Sequence, residues 1–204
     1  MKAAIKNFIN DIRRYFWAKR RNALTKNNLI ISKYKADDFV IRKAVIEDLP
    51  TLIALHVQVW NETHWNVKRK PTYETRERQW REYFKQWDDS KFCLVVADPD
   101  NKLVGFAKGE PYDHPNLPDY DGELNKFYLL LPYQRLGLGK KLFCHVIDHF
   151  NSMGIKSMVL FGVAYNPTCY FYQRMSGTRL YSPSGEFRGG FGWLDLGVVT
   201  GLCK

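Results

Sequence analysis

Gln134-Arg135-Leu136-Gly137-Leu138-Gly139-Lys140-Lys141 sets two glycines among an amide and three cations, a composition suited to holding an anion against the backbone. The apolar run before it, Phe127-Tyr128-Leu129-Leu130-Leu131, has the pattern of a buried strand, and Leu142, Phe143, Val146, Ile147 and Phe150 after it recur at helical spacing. A strand therefore enters a helix through a glycine turn. Gly137 and Gly139 allow positive φ and close approach of a ligand, while the first free N–H groups of the helix and the positive end of its dipole face the turn. The chemistry this permits is the binding of a phosphate-like anion, with Arg135, Lys140 and Lys141 adding positive charge around it. There is no Gly-x-x-x-x-Gly-Lys-Ser/Thr and no Gly-x-Gly-x-x-Gly opening a helix, which excludes the common nucleotide loops.

The elements that must position this turn can be read in order. Phe39 to Val45 alternates as a strand, and Glu47-Asp48-Leu49-Pro50 opens a helix carrying Leu52, Ile53, Leu55, His56, Val59 and Trp60. A more polar helix runs from Tyr73 to Trp87 on Trp80, Tyr83, Phe84 and Trp87. Between the two helices, His64, Trp65 and Arg69 are either lining residues of a site or ordinary loop packing. Phe92 to Ala97 and Leu103 to Gly109 flank Asp98-Pro99-Asp100-Asn101 and form a hairpin. The loop from Glu110 to Asp121 holds Asp113, His114, Asp119 and Tyr120, more ionisable groups than a plain connection requires. Ser157 to Val163 is a buried strand, Asn166-Pro167 begins a short helix through Tyr170, Phe171, Tyr172 and Met175 that Gly177 stops, and a last hairpin pairs Thr178 to Leu180 with Gly192 to Leu196. This order predicts an α/β chain, a mixed sheet of about seven strands flanked by about four helices, with a central parallel step.

The net charge of +10 suggests nucleic acid until its distribution is considered. Residues 1–36 carry ten Lys/Arg and one acidic residue, whereas residues 37–204 carry 21 against 20. The nearly neutral body lacks a basic stripe, and a nucleic-acid partner is not expected. No run approaches the ~18 apolar residues of a spanning helix, and no secretory signal is indicated. Cys93, Cys144, Cys169 and Cys203 are scattered without a metal-ligand spacing. They are expected to be reduced thiols of a cytoplasmic protein, with no metal implied.

Residues 1–36 are expected to be an extension and linker, with the main domain at 37–204. From Lys2 to Arg21, Ile5, Phe8, Ile9, Ile12 and Phe16 share one face of a helix whose other side is basic. Three roles fit residues 1–22: contact with a membrane surface, a transit peptide, or contact with an acidic partner. The plainer alternative is that the apolar face packs on the body or on the second subunit of a homodimer.

Three stretches together resemble the GNAT superfamily of N-acetyltransferases across residues 38–198. Ile41-Arg42-Lys43-Ala44 followed by Glu47-Asp48-Leu49-Pro50 is similar to the family's opening. Glu123-Leu124-x-x-x-Tyr128 before Gln134-x-x-Gly137-x-Gly139 is similar to its central motif, where Gln/Arg-x-x-Gly-x-Gly/Ala binds the pyrophosphate of acetyl-CoA. Asn166-Pro167 with Phe171-Tyr172-x-x-Met175-x-Gly177 is similar to the region after its fifth strand. Leu131 stands where many members have proline, and Thr178 where a phenylalanine is frequent.

The resemblance implies the GNAT acyl-CoA N-acyltransferase fold and transfer of acetyl from acetyl-CoA to a primary amine of a small molecule or peptide, by direct attack. Leu129, Leu130 and Leu131 would hold the pantetheine and polarise the carbonyl; Gln134, Arg135, Leu136, Gly137, Leu138, Gly139 and Lys140 would bind the pyrophosphate; Asn166 and Tyr172 would contact the cofactor arm. Tyr172 occupies the family's general-acid position, and a phenol with a pKa near 10 can give a proton to a thiolate at neutral pH. Packing on the sheet is its other reading. Glu123 occupies the position of the base, with Asp121, Glu110, His114 or a water chain as rivals. Trp60, His64, Glu110, His114 and Asp121 are candidate acceptor contacts, and the acidic loop favours a cationic amine. A longer acyl-CoA, or a regulatory CoA-binding domain without turnover, keeps the same fold.

Overall fold

The computed structural model describes residues 1–25, 33–64 and 67–203. The elements are α1 (Lys2–Thr25), β1 (Val40–Lys43), α2 (Leu49–Thr63), α3 (Tyr73–Lys85), β2 (Phe92–Ala97), β3 (Leu103–Pro111), β4 (Gly122–Leu129), α4 (Leu138–Ser152), β5 (Met158–Phe161), α5 (Thr168–Arg174), β6 (Thr178–Tyr181), β7 (Phe187–Trp193) and α6 (Leu196–Cys203). Seven strands form one sheet in the order β1-β2-β3-β4-β5-β7-β6. The predicted parallel step is β4 against β5, registered at Gly122↔Met158 and Glu123↔Val159. The β1/β2, β2/β3, β5/β7 and β6/β7 pairs are antiparallel.

By internal contacts the chain falls into two compact units. One holds residues 33–64, 67–109 and 126–146, the other 1–25, 110–125 and 147–203. In the first, Arg42 at the end of β1 makes two hydrogen bonds to Asp48, 2.6 and 2.8 Å, and Val45 N–H donates to the same carboxylate at 2.9 Å. That fork fixes the entry to α2, which buries Leu52, Ile53, Leu55 and Val59 with every residue of β2. The Arg42 hydrogen bonds hold the Asp48 carboxyl below the usual range. Thr72 caps α3 by accepting from Thr75 N–H at 3.3 Å, with Glu74 in the first turn and Lys85 in the last matching the dipole.

In the second unit, the Asn166 carboxamide oxygen accepts from Thr168 N–H at 3.0 Å and so opens α5. The helix ends where Ser176 takes φ 63°, one residue before the predicted Gly177. Gly177 is required for a different reason: a Cβ there would stand 2.6 Å from the Trp193 ring. Tyr120 likewise fills the space a side chain at Gly192 would need.

Five expectations are corrected. Phe127, Tyr128 and Leu129 are half-exposed, not buried, and Leu131 has left the strand for a 3-10 turn with Pro132 and Tyr133. Leu196 begins a further helix, α6, and does not extend the last hairpin; Asp195 starts it by accepting from Gly197 N–H at 2.7 Å. Cys93 and Cys169 are the free, buried thiols, and the reduced state predicted for all four cysteines does not extend to Cys144 and Cys203. The apolar face of α1 lies in solvent, and Arg14 is the buried residue. Gly139 lies in the first turn of α4 without the positive φ expected of it.

Candidate functional site

Two side-chain hydrogen bonds hold the turn into α4. Tyr133 hydroxyl donates to Asp98 at 3.1 Å in a buried setting, and Gln134 donates from Nε2 to Leu129 O at 2.9 Å. Arg135 and Gly137 then take φ 73° and 89° before the helix begins at Leu138. Lys141 N–H closes the first helical turn on Gly137 O at 3.1 Å. The amides of Leu138, Gly139 and Lys140 thus point out of the helix end. A Cβ at Gly137 would meet only the Ala36 Cβ, at 3.6 Å. An open turn, three outward amides and a helix dipole fit a pyrophosphate.

Lys141, counted in the sequence among the cations around the turn, is engaged elsewhere. Its ammonium donates to Ala36 O (3.1 Å), Asp37 (3.3 Å) and Phe39 O (3.3 Å) and so ties the chain before β1 to α4. Arg135 and Lys140 are exposed. In the adjoining stretch, Leu130 N–H donates to Val104 O at 2.9 Å and Leu131 N–H to the Glu62 carboxylate at 3.2 Å. Two of the three backbone donors assigned to the pantetheine therefore have protein partners.

The same unit brings Trp60 and His64 together at the end of α2, rings stacked 4.5 Å apart, with His64 Nδ1 3.1 Å from Trp60 O. Arg76 of α3 lies over the Trp60 ring at 5.9 Å. Trp65, a further candidate, lies outside the described residues. Behind them sits a histidine that the periodicity treated only as an apolar helix position. His56 is buried, accepts at Nδ1 from Trp80 Nε1–H (3.1 Å), and lies 5.2 Å from the Phe106 ring and 5.7 Å from the Tyr128 ring. Burial above all, with Arg76, Lys126 and His64 adding positive charge, pushes its pKa down to about 2. His56 Nε2 and Arg76 Nε have no hydrogen-bond partner among the described residues. A histidine inside an otherwise apolar helix face, with a tryptophan in the next helix, was the signal available for this cluster.

The other unit carries both catalytic candidates. Glu123, half-buried near the start of β4, accepts from Asn125 Nδ2 at 3.1 Å. Burial, then the Glu123 charge, raises the pKa of Tyr112. Tyr172 on α5 is 7% exposed, its ring 5.4 Å from Phe191 and 6.2 Å from Trp193. Of the remaining candidates, Asp121 accepts from Ser157 Oγ at 3.0 Å and gives its N–H to the same oxygen at 2.9 Å, which latches the acidic loop to the start of β5. His114 is exposed, its Nδ1 accepting from Asn116 N–H at 3.2 Å and its ring stacked on Tyr112. Glu110 is half-buried at the end of β3.

Comparison with known proteins bears on the family and the fold. Residues 60–177 match the model of the acetyltransferase (GNAT) family. YuaI of Bacillus subtilis (strain 168), an uncharacterised N-acetyltransferase, is 29% identical over 172 residues, 80% of this chain and 98% of its own. Among solved structures, the PaiA N-acetyltransferase of Thermoplasma acidophilum in complex with coenzyme A superposes with a TM-score of 0.59 at 21% identity, covering 76% of this chain and 97% of its own. The spermidine N-acetyltransferase of Vibrio cholerae, in complex with CoA and spermine, has a TM-score of 0.54 at 13% identity, covering 76% of this chain and 94% of its own.

Proposed function

The chain belongs to the acetyltransferase (GNAT) family, and from that premise we propose that it moves an acetyl group from acetyl-CoA to a primary amine of a small molecule or peptide by direct attack in a ternary complex. The observation that carries the reading is the turn at Gln134 to Lys140, whose positive-φ Gly137 opens directly into the outward amides of α4. Acetyl-CoA, when bound, supplies an activated thioester and a leaving thiolate. The turn grips its pyrophosphate, and the backbone near Leu129 to Leu131 and the Asn166 side chain align the arm. Glu62 must release Leu131 N–H if that amide is to serve.

In this reading Glu123 takes the ammonium proton of the acceptor, directly or through water, and Tyr172 gives its phenolic proton to the departing sulfur. Trp60, His64 and Arg76 form the acceptor wall. Arg76, half-buried and with no partner for its Nε among the described residues, favours an acceptor that carries an anionic group beside its amine. This shifts the preference away from the cationic amine that the acidic loop suggested, because Asp121 is engaged with Ser157. The reaction is assigned to the cytoplasm on the supply of the cosubstrate.

The test is thiol release from acetyl-CoA over a panel of amino acids, polyamines and peptides, repeated with Tyr172→Phe. That substitution keeps the ring and its packing, so kcat should fall by roughly 10² to 10⁴ with little change in acetyl-CoA affinity. Full kcat in the variant would assign Tyr172 to packing. No release with any amine would leave a CoA-binding domain without turnover.

A further inference from the structure

α1 is docked by the face that the apolar pattern would leave in water. Arg14 is 1% exposed; its Nε donates to Ala164 O at 2.9 Å, Nη2 donates to the same oxygen, and Nη1 meets Asp11 at 2.6 Å. Asn7 donates to Gly185 O (3.0 Å) and accepts from Phe187 N–H (2.9 Å), Lys6 pairs with Glu186, and Trp17 packs on Tyr165. These contacts hold α1 to the β6/β7 hairpin and to the turn before α5.

The opposite face is apolar, and none of the described residues covers it. Ile5 is 53% exposed, Phe8 65%, Ile9 41%, Ile12 41% and Phe16 65%. At about 100° per residue these five fall in one stripe, and Arg14, two positions after Ile12, lies on the far side. Lys2, Arg13 and Arg20 are exposed and flank the stripe next to Ile9. Over Lys2–Thr25 there are seven basic residues (Lys2, Lys6, Arg13, Arg14, Lys19, Arg20, Arg21) and one acidic residue, Asp11, hence +6.

We infer that this face of α1 lies on an anionic lipid surface, its stripe Ile5/Phe8/Ile9/Ile12/Phe16 in the acyl boundary and Lys2, Arg13 and Arg20 among the headgroups. Charge selects this occupant. A second copy would bring another +6 segment against the first, whereas an anionic bilayer offers an apolar layer and negative headgroups at the right depths. None of the described helices is long and apolar enough to cross a membrane, so α1 would lie in the plane of the surface. Because the docking side is already fixed by Arg14 and Asn7, the stripe is free without any unfolding.

The experiment is vesicle co-sedimentation of the full chain with phosphatidylcholine alone and with phosphatidylcholine containing phosphatidylglycerol. Binding is expected to the mixed vesicles and not to phosphatidylcholine alone, and to weaken as salt rises. Phe8→Ser with Phe16→Ser should lower the affinity by at least about tenfold, and Arg13→Gln with Arg20→Gln by about thirtyfold. Both pairs should leave the melting temperature unchanged, since all four side chains are exposed. Equal binding to both vesicle types, no binding to either, or a dimer in sedimentation that Phe8→Ser with Phe16→Ser dissolves, would overturn the inference.

Discussion

α4 and α1 have the same kind of amphipathic pattern and opposite fates. α4 buries Leu142, Phe143, Val146, Ile147 and Phe150 completely, and its N-terminal amides remain available to a ligand. α1 leaves its apolar stripe in solvent and is held by a guanidinium, a carboxamide and an ion pair. Periodicity therefore shows that a helix has two faces without telling which one the protein uses. For α4 the choice was forced by its position between two strands of one sheet; for α1, at the edge of the sequence pattern, it was open.

The sharpest break between the two should come from removing a phenylalanine from each. Phe143→Ala in α4 should cost about 3–5 kcal/mol, while Phe8→Ala in α1 should stay within about 0.5 kcal/mol. Urea midpoints measure both, and a large cost at Phe8 would mean that the stripe is covered in solution. The helix end comes next. With CoA at a hundredfold excess over its Kd the protein should gain about 2.7 kcal/mol of stability. Gly137→Val, strained at φ 89° and bulky in the open turn, should abolish that gain. An undiminished gain would place the cofactor elsewhere.

Arg14→Met should cost about 1–3 kcal/mol, because Ala164 O then keeps only the weak thiol donor of Cys169; a neutral result would show that Asn7, Lys6 and Trp17 suffice to hold α1. The last contrast sets this paired, charged buried residue against His56, buried without charge. An unfolded histidine titrates near 6.5 and His56 near 2. Below pH 6.5 the unfolded chain takes up a proton that the folded chain refuses, so stability is complete above that pH and falls as pH drops towards 2. The slope should reach up to about 1.4 kcal/mol per pH unit, and in His56→Gln the urea midpoints collected between pH 6.5 and 4.5 should lose that contribution, leaving the smaller one of His64, whose pKa burial also lowers.

Local chemistry made most of the sheet and the glycine turn into α4 legible. The β2/β3 hairpin announced itself through Asp98-Pro99-Asp100-Asn101, and α4 through a glycine turn followed by five apolar positions. What stayed hidden depended on partners distant in sequence. Lys141 looked like an anion ligand until Ala36, Asp37 and Phe39 were found around it. Asp121 looked like a candidate base until Ser157 took it. α6 was missed because Gly197 and Gly201 are poor helix formers, and burial of Leu196 and Val199 overrides that weakness. The cluster of His56, Trp80, Phe106 and Tyr128 draws on four elements, and no single window of sequence contains it.

For descent, the packing of Tyr120 on Gly192 acts as a lock between two distant codons. Gly192 can acquire no side chain while the phenol fills that space, and shrinking Tyr120 first would open a void on β7 for later substitutions to fill. Change at either position is therefore ordered in time: residue 120 must diminish before residue 192 can grow, and a lineage that has taken both steps cannot recover the tyrosine without first returning to glycine.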